Sequence, residues 1–273
     1  MKKRVDLSSS CAIVTGATGG IGTQFALELA RRNCDLILTD LDEHALYETA
    51  GFIRRSLEEP DNISLYVLPL DLTAEDATMQ IEQFCDESDL DPDILINNAG
   101  IFSFAPITRT SPRKLDTFID LHIRSVTMLS RWFARRRKAA HCGWLLNMSS
   151  MSCWMPMPGL AMYASTKAYI RVFSRSLHYE MKDYGVGVTV ACPGGIATDL
   201  FGLSPKLKEL AVKIHVLDTP ESFARKAVNR MLKKKKQYIN GWLNRISILF
   251  VGITPTPVRM LVKHRLLDKG IVR

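Results

Sequence analysis

The sequence of 273 residues lacks several features that define whole classes of protein. No apolar run approaches the roughly 18 residues that a membrane-spanning helix needs, so we expect no such helix. The apolar run CAIVTGA that follows the basic N-terminus is broken by glycine, and it is too short for the core of a signal peptide. Internal repeats, low-complexity stretches and linkers are also missing, which predicts a single domain.

The cysteines lack the spacing of a zinc site, so we expect no metal. They lie in apolar contexts, which favours reduced core residues of an intracellular, cytoplasmic protein over disulfides. The six are Cys11, Cys34, Cys85, Cys142, Cys153 and Cys192.

Charge is present but unevenly distributed. Residues 1–130 carry 11 Lys and Arg against 21 Asp and Glu, whereas residues 131–273 carry 25 against 7. The basic half could face an anionic partner, or its charges could belong to solvated helix faces. The basic runs are not interleaved with aromatic residues and no nucleic-acid motif is found, so we expect no nucleic-acid partner.

Short apolar runs alternate with segments of helical periodicity along most of the chain. This alternation predicts βαβ units, and therefore an α/β, Rossmann-like, doubly wound parallel sheet of about seven strands with helices on both faces. We assign residues 1–232 to this domain and residues 233–273 to a basic and apolar C-terminal extension packed on it. The predicted strands are 11–15, 35–40, 63–71, 93–100, 143–150 and 185–195, and the predicted helices are 21–32, 41–58, 111–138 and 160–184.

The stretch TGATGGIG, residues 15–22, closes the first strand and opens the first helix. Its glycines Gly16, Gly20 and Gly22 let the backbone and a helix N-terminus approach a phosphate, which predicts dinucleotide binding, although many tight turns look similar. Asp40 ends the second strand, where a carboxylate can bind both ribose hydroxyls and repel a 2′-phosphate. This favours NAD over NADP as cofactor, the alternative being an Asp that caps a helix.

Six motifs in register resemble the short-chain dehydrogenase/reductase family over roughly residues 8–200. They are TGATGGIG, Asp71-Leu72, NNAG at 97–100, NMSS at 147–150, YASTK at 163–167 and PGGIAT at 193–198. The resemblance implies an oxidoreductase that acts on CH–OH groups with NAD(P). It also implies which residues contact the cofactor: Gly16, Thr18, Gly20, Ile21, Gly22, Asp40, Asp71, Leu72, Asn98, Ala99, Gly100, Tyr163, Lys167, Pro193, Gly194, Ile196 and Thr198.

The resemblance further implies the catalytic residues. Tyr163 is the expected general acid/base, with Lys167 one helical turn later lowering its pKa and holding the nicotinamide ribose. Ser150, 13 residues before Tyr163, is expected to bind the substrate oxygen, with Ser149 as the alternative. His122 stands where the family usually has an asparagine that anchors a water. It is either part of a proton relay or a packed, neutral histidine.

The segment between Ser150 and Tyr163, MSCWMPMPGLAM, is apolar and borders the substrate in this family, and residues 199–218 resemble an amphipathic lid. Together they predict a hydrophobic alcohol or ketone substrate, sterol-like or with an acyl chain. The extension 233–273 could cover the active site, pack in an oligomer or contact an anionic membrane. We expect a homodimer or homotetramer built on the helices 111–138 and 160–184.

Two functions are therefore compared. The first is an NAD-dependent alcohol dehydrogenase or ketone reductase that uses Ser150, Tyr163 and Lys167. The second is a dinucleotide-binding sensor or scaffold that uses the basic tail to bind a partner or a membrane.

Overall fold

The computed structural model describes residues 5–196 and 217–268, and a parallel sheet lies at its centre. Seven strands follow one another in the order β3-β2-β1-β4-β5-β6-β7. This order, with crossovers on both sides of β1, confirms the predicted Rossmann-like fold. The strands are β1 Cys11–Thr15, β2 Asp35–Asp40, β3 Leu65–Pro69, β4 Ile94–Asn97, β5 Gly143–Met148, β6 Val186–Ala191 and β7 Gln237–Tyr238.

Helices cover both faces of the sheet because successive strand side chains point to opposite sides. In β1, Val14 packs into one core and its neighbour Ile13 into the other. Three helices cover the first core: α1 Gly20–Ala30, α2 Glu43–Arg55 and α7 Pro220–Leu232. Three others cover the second core: α3 Ala77–Glu87, α5 Ser125–Ala140 and α6 Ala161–Met181.

The long helix predicted at 111–138 is two helices joined by a wider turn. Ser111 caps α4 Pro112–Ile119, because its hydroxyl accepts a hydrogen bond from the Lys114 amide at 3.3 Å. A π-helical turn at Asp120–Arg124 then leads into α5. Such turns often occur at functional sites, and this one carries His122.

Strand β7 at the sheet edge comes from residues that the composition assigns to the extension. It pairs in parallel with β6, through Val190 with Gln237 and Ala191 with Tyr238. Two short helices follow it, α8 Trp242–Val251 and α9 Thr256–Val262, and then a π-helical turn at Lys263–Asp268. The sheet therefore continues past residue 232, the predicted end of the domain. Only the residues after β7 form an extension outside the sheet.

Candidate active site

A cleft of about 750 Å³ opens at the carboxyl ends of the strands. Ligands bind at this edge of open α/β sheets. Of the residues predicted to bind the cofactor or to act in catalysis, Thr198 and most of the segment 199–218 lie outside the described residues, and His122 does not line the cleft. The others do: Gly16, Thr18, Gly20, Ile21, Gly22, Asp40, Asp71, Leu72, Asn98, Ala99, Gly100, Ser150, Tyr163, Lys167, Pro193, Gly194 and Ile196.

The glycine turn after β1 is held against the loop after β4. Gly16 has a φ of +63°, and a Cβ built on it would lie 2.8 Å from Cα of Ala99. The Asn98 side-chain amide donates to the carbonyl oxygens of Thr15 and Gly16, both at 3.0 Å. The turn thereby brings bare backbone and the start of α1 to the cleft, which fits the pyrophosphate of a dinucleotide.

Asp40 lies at the other side of this turn, at the end of β2. Its carboxylate accepts hydrogen bonds from the amide and the hydroxyl of Thr18 and, at 2.8 Å, from the Leu41 amide. These donors fix the carboxylate at the cleft wall. Asp42, and not Asp40, caps α2, through a 3.1 Å hydrogen bond from the Ala45 amide.

Ser150, Tyr163 and Lys167 meet at the centre of the cleft. The Ser150 side chain lies close enough to Tyr163 to lower its pKa, and Lys167 Nζ lies 5.8 Å from the centroid of the Tyr163 ring. Ser149 also lines the cleft, but its hydroxyl already donates to the Lys167 carbonyl at 2.7 Å. The geometry therefore favours Ser150 over Ser149 as the residue that binds the substrate oxygen.

Helix α6 carries the tyrosine and the lysine, and two contacts fix it to β5. The Asn147 side-chain amide donates to the Ser174 hydroxyl at 2.9 Å. Lys167 Nζ donates to the Met148 carbonyl at 3.0 Å. Because an ammonium group has three donors, this bond leaves two for other partners.

Burial shifts the pKa values of both groups toward their neutral forms. It lowers the pKa of Lys167 to about 8, with a small opposing effect of Cys192. Burial also raises the pKa of Tyr163, and the nearby Ser150 side chain opposes this by lowering it. The sequence predicts that Lys167 lowers the pKa of Tyr163, but in this structure burial dominates and Tyr163 is a protonated phenol at neutral pH.

His122 is fully buried, and both of its ring nitrogens are hydrogen-bonded to protein atoms. Nε2 accepts from the Ile101 amide at 3.0 Å, so Nδ1 carries the proton and donates to the Thr166 hydroxyl at 2.9 Å. Burial, together with the Lys167 charge, lowers the pKa of His122 to about 2. These contacts favour the packed, neutral histidine over the relay, and they tie the loop after NNAG to α6 beside Tyr163 and Lys167.

The neutral state of His122 predicts a specific pH dependence of stability. The unfolded chain takes up a proton on this histidine below about pH 6.5 and the folded chain does not, so His122 lowers the free energy of unfolding as pH falls. The expected contribution is about 1.4 kcal/mol per pH unit between about pH 6 and 4.5. Urea unfolding of the native chain and of His122→Asn measures it, and the slope should be smaller in the variant. Equal slopes would indicate a histidine of ordinary pKa and favour the relay.

Several residues of the cleft wall carry no motif and were not predicted. On α4 and the turn that follows it, Arg113, Thr117 and Leu121 face the cleft, as does Pro220 at the start of α7. The helical periodicity of residues 112–124 does not show which face meets the cleft, because that depends on how α4 packs on the rest of the fold. Within residues 5–196 and 217–268, no group of three His, Cys, Asp or Glu side chains is placed to bind a metal ion.

A glycine turn for a pyrophosphate, a carboxylate after β2 and a Ser–Tyr–Lys set define a dinucleotide-dependent oxidoreductase with a Rossmann-like fold. The chain belongs to the short chain dehydrogenase family, whose sequence profile matches residues 10–207. The predictions of the family and of a dehydrogenase-type oxidoreductase with an NAD(P)-binding fold are thereby confirmed.

Known proteins similar to the chain agree with this assignment. Very-long-chain 3-oxoacyl-CoA reductase-A of Danio rerio is 34% identical over 193 residues, which are 69% of this chain and 59% of the relative. Cyclopentanol dehydrogenase of Comamonas sp. is 29% identical over 195 residues, 71% of this chain and 76% of the relative. A short-chain dehydrogenase from Sphingobium yanoikuyae, solved with NADPH, shares the fold with a TM-score of 0.75 at 23% identity, over 94% of this chain and 96% of that one.

Proposed function

We propose that the chain is an NAD(H)-dependent oxidoreductase that interconverts a secondary alcohol and a ketone on a hydrophobic substrate. The observation that carries the proposal is the cleft itself, with Asp40 at its cofactor end and Ser150, Tyr163 and Lys167 together at its centre. The names of a 3-oxoacyl-CoA reductase and a cyclopentanol dehydrogenase among its relatives agree with a ketone and alcohol chemistry.

Each of the three residues has a role that follows from its position. When bound, the nicotinamide supplies or accepts the hydride. The Ser150 hydroxyl donates a hydrogen bond to the substrate oxygen, and the Tyr163 hydroxyl beside it gives that oxygen a proton in reduction or removes one in oxidation. Lys167, held by the Met148 carbonyl, places a cation where phenolate forms. Because Tyr163 is protonated at neutral pH, the site is ready for reduction.

Apolar side chains pack near Tyr163 and in the segment that follows Ser150, where the substrate end of the cleft is expected. The Phe102 ring lies edge-on against Tyr163 with centroids 5.0 Å apart, and Trp154 ends the short helix that follows Ser150. The ring of Phe104 packs near Gly159, where a Cβ would lie 2.9 Å from it. A bulky apolar ketone, sterol-like or with an acyl chain, suits these apolar surroundings better than a sugar or a charged acid.

Turnover of NADH with a panel of ketones tests the proposal. The panel pairs each hydrophobic ketone with a short polar one, and the reaction is followed at the nicotinamide absorbance. We expect kcat/KM to rise with apolar size. Tight NADH binding without turnover of any ketone would favour the sensor or scaffold instead.

The choice of NAD over NADP rests on the charge beside Asp40. The residues that follow it, Leu41, Asp42 and Glu43, add two carboxylates and no cation. A 2′-phosphate near the Asp40 carboxylate would meet like charge in a partly desolvated position, whereas ribose hydroxyls can donate to it.

Replacing Asp40 with serine should shift the cofactor preference toward NADP(H). We expect the ratio of kcat/KM for NADPH to that for NADH to rise at least tenfold, or about 1.4 kcal/mol, because the repulsive charge is lost. Asp42→Ser is the matched control: it removes the same charge two residues away, where the side chain caps α2 and serine can still cap, and it should raise the ratio much less than Asp40→Ser. An unchanged ratio in Asp40→Ser would contradict the assignment of NAD.

A further inference from the structure

The two helices after β7 expose an unusual amount of apolar surface. Trp242, Leu249, Phe250 and Ile253 are 62–72% exposed. Neither α8 nor α9 has a buried residue, whereas α7 just before them buries five. Large apolar patches on a protein surface mark contact sites. We call this the C-terminal apolar surface, which also includes Leu243, Ile246, Val258, Met260 and Leu261.

The charges along this part of the chain have one sign. Residues 222–267 contain 11 Lys and Arg and neither Asp nor Glu. At the start of α8, Lys226, Arg230 and Arg245 line a basic cleft of about 330 Å³ together with Trp242 and Tyr238. The Tyr238 hydroxyl is buried and has no hydrogen-bond partner among the described residues. Lys226 Nζ lies 3.5 Å from the Asp218 carboxylate, so the cleft offers Arg230 and Arg245 beside an exposed tryptophan. Two guanidinium groups in this position suit the phosphate of a lipid headgroup.

The C-terminal apolar surface is anchored on the loops at the mouth of the active-site cleft. The Asn240 side chain accepts a hydrogen bond from the Gly194 amide at 2.7 Å, and the Asn244 side chain packs on Gly194. Farther along the chain, Leu267 packs on Gly159 and is almost fully buried. The exposed helices thus adjoin the expected substrate end of the cleft.

The dimensions of the helices suit the surface of a membrane and not its interior. Across the described residues, no single helix has the length and hydropathy to cross a bilayer. Only α8 and the segment Thr256–Arg265 taken together have that length and hydropathy, and they are bent by 107° relative to each other. Helices of 10 and 7 residues are about 15 and 11 Å long, against a hydrocarbon thickness of about 30 Å. Short amphipathic helices with cations at their edge lie in the interface.

We propose that α8 and α9 dock on a membrane surface that contains anionic lipids. The C-terminal apolar surface enters the interfacial layer, and the basic cleft holds a lipid phosphate. A second copy of the chain fits this surface less well, because the Arg230 and Arg245 side chains of the two copies would face each other across a symmetric contact. A further consequence, which rests on the proposed function, is that the cleft mouth faces the bilayer and a hydrophobic ketone enters from it.

Co-sedimentation of the full chain with lipid vesicles tests the docking. The vesicles contain phosphatidylcholine alone or with about a third phosphatidylglycerol. We expect the chain to pellet with anionic vesicles, and binding to weaken with salt. The Leu249→Glu/Phe250→Glu variant should bind at least tenfold less, whereas Tyr47→Glu/Met79→Glu, which alters equally exposed apolar residues on α2 and α3, should bind like the native chain.

A second pair of variants tests the basic cleft. Arg230→Ser/Arg245→Ser should lose the preference for anionic vesicles, and Arg54→Ser/Arg55→Ser, with the same charge change on α2, should keep it. Absence of pelleting, or equal binding to both kinds of vesicle, would overturn the proposal. A dimer of the native chain that is lost in Leu249→Glu/Phe250→Glu, measured by light scattering, would also overturn the proposal if the native chain does not pellet with vesicles.

The test separates this proposal from the proposed function. Turnover of a short, water-soluble ketone reports on the active site and on correct folding, and it should be unchanged in Leu249→Glu/Phe250→Glu. Turnover of a ketone delivered in anionic vesicles should fall in that variant. Binding to vesicles without any ketone turnover would leave the docking intact and refute only the proposed function.

Discussion

Replacing Tyr163 with phenylalanine should lower kcat for ketone reduction about a thousandfold, the middle of the range for general acid–base catalysis. The change removes only the hydroxyl that donates the proton, and the ring keeps its edge-on contact with Phe102. The dissociation constant for NADH should change less than about threefold, since Gly16, Gly22 and Asp40 lie at the other end of the cleft. Steady-state kinetics and NADH fluorescence titration measure the two quantities.

Tyr169→Phe is the matched control on the same helix. Its hydroxyl is hydrogen-bonded to Thr127 at 2.7 Å, so the variant also loses one tyrosine hydrogen bond. That loss should cost about 1 kcal/mol of stability and leave kcat nearly unchanged. Equal kcat values in native and Tyr163→Phe protein would refute the role of Tyr163.

Much of the fold could be predicted because parallel strands buried on both faces are continuous apolar runs. Residues 11–15 and 35–40 show this pattern, and the structure gives them the same bounds as β1 and β2. Strand β7 could not be predicted in the same way. It has two residues, Gln237 and Tyr238, and it forms only because Val190 and Ala191 of β6 present an open edge to it. Such pairing is a tertiary effect without a local signal.

The site shows the same division between local and tertiary information. Tyr163 and Lys167 lie one turn apart on a helix, and their spacing with Ser150 is visible in the sequence. The state of His122 is not visible, because its partners, the Ile101 amide and the Thr166 hydroxyl, lie 21 and 44 residues away. Burial of the His122 ring is the main cause of its lowered pKa. The direction of the Tyr163 pKa shift has the same origin, since desolvation depends on what packs around the phenol.

Gly22→Ala should weaken NADH binding at least a hundredfold, or about 2.7 kcal/mol. A Cβ at this position would lie 1.9 Å from the Gly16 carbonyl oxygen, which is a backbone atom of the same turn. Neither atom can move aside alone, because Gly16 is itself held against Ala99 and Asn98. The turn must therefore open, and the backbone surface that faces the pyrophosphate is lost.

Gly19→Ala separates this effect from the general cost of a methyl group in the turn. A Cβ on residue 19 would have the same Gly16 oxygen as its nearest neighbour, at 3.5 Å, which is an ordinary contact. The φ of −71° at Gly19 suits any residue. Binding should therefore stay within about threefold of the native value, since the added methyl group makes only an ordinary contact. Alanine is a poorer N-cap residue than glycine, and we expect that cost to lower the stability of the variant. Isothermal titration with NADH measures both variants. Equal affinities in Gly22→Ala and Gly19→Ala would mean that the close approach of Gly22 to Gly16 is not what shapes the dinucleotide site.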